Sequence, residues 1–188
     1  MNYKFLGATI LVTLVLMGAC DGESTEKSKD VTTEKTAKKV EKDKSKDETQ
    51  VGLINDTAVL NDIDVKVLET EFISKGTYEN QEKEQLGIIY EVKNKSDKEI
   101  DPISGWLAVF EATQDSKDTI RKLEVGMLPQ TNKYKPFLDT QMDSIKKSGK
   151  LKNGIAYNLE DDTTPVILKA TKGIGGEKLG EIEVKIEE

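Results

Sequence analysis

Short runs of alternating apolar and polar residues follow one another along the C-terminal part of the sequence. In residues 63–67, 86–92 and 182–186 every second side chain is apolar. A period of two puts these side chains on one face of a β-strand. Residues 155–159 show a similar alternation, and residues 166–170 form a short apolar run after a group of turn formers. About seven such strands joined by turns predict an all-β fold, an antiparallel β-sandwich.

Three details refine this pattern. The alternation changes phase near Leu68, which predicts a β-bulge. The pair Asn153-Gly154 is typical of a turn. Residues 106–111 form a further predicted strand. Trp106 shares one face of that strand with Ala108 and Phe110 and is the only tryptophan in the chain, so we expect it to anchor the core.

Two connections between the predicted strands carry further expectations. Pro136 precedes three apolar residues with helical spacing, Leu138, Met142 and Ile145. This spacing favours a short helix over residues 136–148, and a strand over residues 141–145 is the alternative. No helical pattern follows the glycine-rich residues 173–176. We therefore expect a hairpin connection there and not a phosphate-binding loop.

The N-terminus has the order of a secretory signal. Residues 1–19 contain Lys4, an apolar run over residues 5–17 and two small residues. The run is shorter than the about 20 apolar residues of a membrane-spanning helix. Cys20, the only cysteine in the chain, follows directly. The alternative to a functional role for Cys20 is a chance cysteine after an ordinary signal peptide.

The five residues Leu16-Met17-Gly18-Ala19-Cys20 resemble the bacterial lipoprotein box, with Met17 where leucine is usual. The resemblance implies that Cys20 carries a diacylglyceryl group and becomes the first residue of the mature protein. It also implies that the protein is held on the extracytoplasmic face of the cell membrane. Two acyl chains are sufficient for stable membrane attachment.

The composition changes after the signal. Residues 20–50 consist mainly of Lys, Asp, Glu, Ser and Thr, with both signs of charge interspersed. Such a segment buries too little apolar surface to offset its conformational entropy, so we expect a disordered tether after Cys20. Residues 51–188 then form one domain, the predicted sandwich. The net charge of −7 argues against a nucleic-acid partner.

The sequence contains no histidine. This excludes nucleophiles that depend on a Ser-His or Cys-His pair, and it removes the usual zinc ligand. Ser144 and Lys147 have the spacing of a Ser-x-x-Lys motif, but the companion motifs are missing. The acidic residues 160–162 have oxygen ligands suitable for Ca²⁺, although turn formation explains them as well. We expect no enzyme activity, no catalytic residue, no cofactor and no dedicated metal site.

Several stretches together resemble the immunoglobulin-like (telokin-like) domains of Gram-positive cell-surface lipoproteins whose function is unassigned. They are the lipoprotein box, the charged tether, Val92-Lys93-Asn94-Lys95-Ser96, Trp106, Gly154-Ile155-Ala156-Tyr157-Asn158-Leu159 and Pro165-Val166-Ile167-Leu168. The resemblance covers most of residues 55–187. It implies an immunoglobulin-like sandwich and carries no active-site residues.

These observations predict a membrane-anchored surface lipoprotein that presents a non-catalytic binding module to a protein or envelope partner. The alternative is a small-ligand or metal-binding accessory protein of a transporter or a cell-wall enzyme. Loops on a rigid sandwich commonly carry recognition residues. Tyr78, Tyr134 and Phe137 lie in predicted connections and are therefore the candidate exposed contact residues, with local packing as the alternative for each.

Overall fold

The computed structural model describes residues 50–187. These residues form nine β-strands and two short α-helices. The helices are α1 (Pro102–Val109) and α2 (Lys135–Leu138). The strands are β1 (Gly52–Ile54), β2 (Thr57–Val59), β3 (Ile63–Ile73), β4 (Gln85–Asn94), β5 (Phe110–Asp115), β6 (Ile120–Lys122), β7 (Lys150–Asn158), β8 (Val166–Thr171) and β9 (Lys178–Val184). The predicted signal peptide, Cys20 and the predicted tether except its last residue, 50, lie outside the described residues.

The strands form two sheets in which every pairing is antiparallel. The first sheet has the order β1-β2-β3-β4-β7 and the second has the order β6-β5-β8-β9. Their facing apolar side chains make one main core. The predicted antiparallel β-sandwich is therefore confirmed. No helix within residues 50–187 has both the length and the apolar character needed to span a bilayer.

The first sheet contains a hairpin that the alternation did not predict. Strands β1 and β2 have three residues each and are joined by Asn55 and Asp56. Both joining residues have positive φ, 46° and 59°. A two-residue hairpin turn of type I′ requires this conformation, and Asn and Asp tolerate it better than most residues. Strands of three residues are too short to show a period of two.

The predicted phase change at Leu68 is confirmed. The pairing of β3 with β4 shifts register between Val67 and Glu69, which identifies a β-bulge at Leu68. The bulge reverses the faces of the strand beyond it. Val65 packs in the main core before the bulge, whereas Ile73 packs beyond it in a separate small cluster. One strand therefore supplies apolar side chains to both faces of the first sheet.

Trp106 anchors the main core as predicted, but it does so from a helix. Its side chain is fully buried, with its ring 4.6 Å from that of Tyr90 and 4.7 Å from that of Phe110. The predicted strand over residues 106–111 is wrong up to Val109, where α1 ends, and β5 begins at the next residue. Asp101 caps this helix by accepting the Ser104 N–H at 2.8 Å, and a proline follows the cap. Both are signals for a helix start.

Two other local predictions are also wrong. Asn153 and Gly154 lie inside β7 and do not form a turn. The helix expected over residues 136–148 is limited to the four residues of α2. The alternative strand over residues 141–145 is also absent, since Ile145 makes only an isolated bridge to Ile100. The helical spacing does not produce a longer helix, because Ile145 packs in the main core while Met142 is exposed.

Candidate functional site

The chain crosses from the second sheet to the first after β6. Val125 forms a bridge to Tyr157, and the Gly126 N–H donates to the carbonyl oxygen of Ala156 at 2.9 Å. The following residues, 127–141, include α2 and pack on the outer face of the first sheet. Leu128, Tyr134 and Ile73 form a second small core there, with Tyr78, Ile89, Phe137 and Leu138 packed against it.

Two glycines make room for this second core. A Cβ at Gly87 would overlap the Tyr134 hydroxyl and lie 2.8 Å from Ile73 Cδ1. A Cβ at Gly154 would lie 3.1 Å from atoms of both Tyr134 and Phe137. Glycine inside a strand often marks such a close approach. This explains why Gly154 is within β7 when its neighbour Asn153 suggested a turn.

The exposure expected for Tyr134 is wrong. Its side chain is only 1% exposed, and the alternative of local packing is correct. Its hydroxyl donates to Glu71 Oε2 at 3.2 Å, and Lys133 Nζ lies 2.8 Å from the same carboxylate. Burial, followed by the negative charge of Glu71, raises the pKa of Tyr134. Phe137 is half-buried against Gly154. Its role as a binding contact stays a prediction.

Tyr78, the third candidate, lines an open cleft of about 230 Å³. We call it the amide cleft because four of its side chains are amides. It is formed by Tyr78, Asn80, Gln81, Glu82, Lys83, Gln85, Met127 and Asn158. Among the sequence-predicted contact residues, Tyr78 is thus the one that combines partial exposure with polar neighbours.

The floor of the amide cleft is a hydrogen-bonded network. The Tyr78 hydroxyl lies 2.6 Å from Gln85 Oε1 and 2.9 Å from the Met127 carbonyl oxygen, and its single hydrogen is shared between these two acceptors. Gln85 Nε2 in turn donates to Asn158 Oδ1 at 2.9 Å. Gln85 is only 3% exposed, so these bonds hold its side chain in one orientation. Burial raises the pKa of the Tyr78 hydroxyl above its usual value.

Two further contacts support this floor. Gln85 and Asn158 are directly opposed in the pairing of β4 with β7, so the sheet itself sets their separation. Gly126 passes over them so closely that a Cβ there would overlap Gln85 Nε2 and Asn158 Oδ1. Neither amide was predicted as a site residue, because a single sequence does not reveal cross-strand register. Their positions at the start of one strand and the end of another were the available signal.

The second concave surface is a groove of about 260 Å³ on the other sheet. We call it the apolar groove. Its half-exposed or exposed aliphatic side chains are Leu107, Val125 and Ile174, of which Ile174 is 90% exposed. The glycine-rich residues 173–176 connect β8 to β9 at its edge, as predicted. On its charged rim Lys122 Nζ lies 2.6 Å from Glu111 Oε2.

The two concave surfaces differ in what they can select. Binding sites fix a small ligand through a few converging polar groups. The amide cleft has such groups on its floor, whereas the groove presents aliphatic side chains with charged groups at its rim. The amide cleft is therefore the better-defined candidate for a small ligand, and the groove suits a larger apolar surface.

Ser144 and Lys147, considered above as a Ser-x-x-Lys motif, line neither of these surfaces. Ser144 is exposed and outside any helix, so Lys147 is not placed one helical turn from it. Lys147 is paired with Asp97 at 2.6 Å. Across residues 50–187, no three acidic side chains are grouped closely enough to hold a metal ion.

Asp161, in the acidic turn, has a structural role. Its Oδ1 accepts the backbone N–H groups of Thr163 at 2.9 Å and Thr164 at 2.6 Å. These hydrogen bonds to the ionised form lower the pKa of Asp161 to about 2. A carboxyl whose pKa is lowered by folding stabilises the folded state at pH values above its unfolded pKa of about 3.9. This stabilisation is lost as the pH falls towards the pKa of the folded state.

We expect Asp161→Asn to reduce the loss of stability between pH 4 and pH 2. The amide keeps an acceptor oxygen for the turn but does not titrate. Urea unfolding of both proteins at pH 6 and at pH 2.5 measures the difference. At pH 6 the variant should be less stable, by about 1 kcal/mol for loss of a charge-assisted bond. An equal acid-induced loss in both proteins would contradict the assignment.

Known proteins share this fold. A Staphylococcus aureus protein described as a candidate lipoprotein aligns with a TM-score of 0.63 and 24% identity, over 73% of this chain and 93% of that one. An Enterococcus faecalis protein solved by NMR aligns with a TM-score of 0.58 and 17% identity, over 73% of this chain and 95% of that one. No curated protein matches the chain.

The sequence also matches one family model, that of a domain of unknown function, DUF5067, over residues 23–172. The match spans most of the described sandwich, from before β1 through β8. It covers well over half of the chain. The protein is therefore a member of the DUF5067 family.

Proposed function

We propose that this protein is a Gram-positive surface lipoprotein, anchored through Cys20, whose immunoglobulin-like sandwich is a non-catalytic binding module for an envelope component. The residues 16–20 support the anchor, since they resemble the lipoprotein box and contain the only cysteine. The similarity in fold to the S. aureus candidate lipoprotein is consistent with this role. The charged residues 21–50 act in this proposal as a tether between the lipid and the module.

The observation that carries the binding role is the amide cleft. Its floor side chains, Gln85 and Asn158, are held on adjacent strands and by each other. Groups that are fixed before binding lose little conformational entropy when a ligand arrives. The Asn158 amide nitrogen has no hydrogen-bond partner among the described residues, so it remains available to a ligand. A rigid site with unused donors on a surface module is suited to recognition.

Sedimentation with cell-wall sacculi tests this role. The mature protein, purified in mild detergent, should sediment with sacculi freed of membrane and treated with protease. Asn158→Asp keeps the acceptor for Gln85 but removes the free donor, and we expect the bound fraction to fall about tenfold. Asn132→Asp is the matched control, because Asn132 is exposed and lies outside the cleft. Absence of sedimentation for the unchanged protein would refute an envelope ligand of this kind.

A protein partner is the second candidate, and the apolar groove favours it. Lys169 lines the groove and makes no ion pair within residues 50–187, because its cross-strand neighbours Glu111 and Glu181 are paired with other lysines. The groove therefore suits a protein segment that places an aliphatic side chain on Leu107 and Ile174 and a carboxylate on Lys169. Exposed apolar patches with a polar rim commonly mark such contacts.

The same sedimentation experiment separates the two candidates. If the partner is a protein, binding should occur to untreated envelopes and disappear after protease treatment. It should also be lost in a Leu107→Ser, Ile174→Ser double variant and be retained in Asn158→Asp. The opposite pattern identifies the amide cleft as the binding site.

A further inference from the structure

The chemistry of the amide cleft restricts its ligand. Each amide side chain offers both donor hydrogens and an acceptor oxygen. In the cleft these groups belong to Asn80, Gln81, Gln85 and Asn158. Gln81 is itself fixed, because its Oε1 accepts the Thr77 N–H at 2.9 Å and its Nε2 donates to the Lys83 carbonyl oxygen at 3.0 Å. A ligand that both donates and accepts hydrogen bonds fits this lining best.

The charges around the cleft nearly cancel. Glu82 and Lys83 are its two ionisable carboxylate and ammonium groups. They have opposite signs. Glu160, which lies 3.9 Å from Lys83, is balanced in turn by Arg121 at 3.6 Å. A charged ligand would lose hydration without gaining an opposite charge in return. The lining therefore favours a neutral ligand.

The cleft also has an apolar side. Met127 is 49% exposed at its wall, and the Tyr78 ring is held beside it by the hydroxyl contact with the Met127 carbonyl oxygen. These two side chains can cover the C–H groups of a ligand while the amides bind its polar groups. The volume of about 230 Å³ suits a single ring with its substituents. A sugar ring has this combination of hydroxyl groups and C–H faces.

We propose that the amide cleft binds one ring of a neutral sugar. This inference rests on the proposed function, since it names the envelope chemistry that the module recognises. The hydroxyl groups of the sugar take the free donors of Asn158 and the acceptor capacity left on Gln85 and Asn80. The side chains of Tyr78 and Met127 contact the C–H face.

Titration followed by NMR of the side-chain amides tests the proposal. The mature protein in detergent is titrated with glucose and N-acetylglucosamine as neutral probes, glucosamine and glucuronate as charged probes, and N-acetylglycine amide as a peptide-like probe. We expect a neutral sugar to shift the Gln85 and Asn158 amide signals. The charged sugars and the peptide-like probe should bind about tenfold more weakly or worse. If a charged sugar or the peptide-like probe binds as tightly as the neutral sugar, or more tightly, the proposal is overturned.

Two variants and a control link the binding to the cleft. Asn158→Asp should weaken binding of the neutral sugar about tenfold, and Asn132→Asp should leave it unchanged. Asn80→Gly removes a rim amide without backbone strain, because Asn80 has a φ of 64° that glycine adopts freely. Asn80→Gly should also weaken binding of the neutral sugar, and it tests the site if Asn158→Asp does not fold. Unchanged sugar affinity in the folded variants would overturn the site.

The sedimentation and titration results together distinguish a failure of this inference from a failure of the proposed function. If Asn158→Asp abolishes sedimentation with sacculi but no sugar binds, the cleft is the envelope site and the neutral sugar is the wrong ligand class. If the unchanged protein does not sediment with sacculi at all, the proposed envelope role fails. Binding of a neutral sugar that depends on Asn158 supports the inference.

Discussion

Replacing Cys20 by serine is expected to abolish labelling of the protein by palmitate completely. The lipoprotein-box resemblance makes the Cys20 sulfur the atom that is alkylated by a diacylglycerol, and a serine hydroxyl is a much weaker nucleophile than a thiolate. No second cysteine exists that could substitute for it. Cells are grown with labelled palmitate, and the isolated protein is examined for label and, by mass spectrometry, for its first residue.

The control for this variant is Ser24→Ala. It changes a nearby polar residue after the proposed cleavage point and should keep the label in full. The unchanged mature protein should begin at Cys20 with two acyl chains, whose buried methylenes contribute roughly 0.8 kcal/mol each to membrane attachment. Label that persists in Cys20→Ser, or a mature protein that begins at another residue, would refute the anchor and with it the proposed location.

Replacing Trp106 by alanine is expected to destabilise the sandwich by about 3–5 kcal/mol. The ring is fully buried between Tyr90 and Phe110, and its Nε1 donates to the Tyr157 hydroxyl at 2.8 Å. Alanine leaves a large cavity and also removes the hydrogen-bond partner of Tyr157. Domains of this size have a total stability of about 5–15 kcal/mol. The variant is therefore expected to be partly or largely unfolded at 37 °C.

A matched variant in the same cluster should behave in the opposite way. The Tyr90 hydroxyl is buried and has no hydrogen-bond partner among residues 50–187. Burial, together with Tyr157 and Asp101, raises its pKa. Tyr90→Phe removes this unpaired group and leaves the ring, so it should be neutral or slightly stabilising. Urea unfolding followed by far-UV circular dichroism compares the three proteins, since Trp106→Ala removes the only tryptophan. A loss below about 1 kcal/mol for Trp106→Ala would contradict its role as the core anchor.

The helix α1 shows how local and tertiary signals compete. The alternation of Trp106 with its neighbours predicted a strand, but Asp101 and Pro102 start a helix in the same residues. The strand prediction rested on the apolar residues alone and did not include these two helix-start residues. Trp106 enters the core in both descriptions, because its large apolar surface requires burial whichever backbone carries it. The burial of this residue was thus easier to predict than its secondary structure.

The candidate site was less predictable than the strands. Tyr78 was selected for its position in a connection, and the structure places it in the amide cleft. Tyr134 was selected by the same argument and is buried over Gly87 and Gly154. Nothing in the residues near Tyr134 distinguishes the two cases. The difference depends on which segment covers the outer face of the first sheet, and that contact joins residues far apart in the chain.

The sequence by itself determined the strands β3, β4, β7, β8 and β9, the bulge at Leu68 and the side chain that anchors the core. These are consequences of each residue and its near neighbours, because the faces of a strand alternate with a period of two. Only the tertiary structure decided that Gln85 and Asn158 are opposed across two strands and that Tyr134 is covered. Register and covering contacts depend on residues that are distant in the chain, so no local pattern records them.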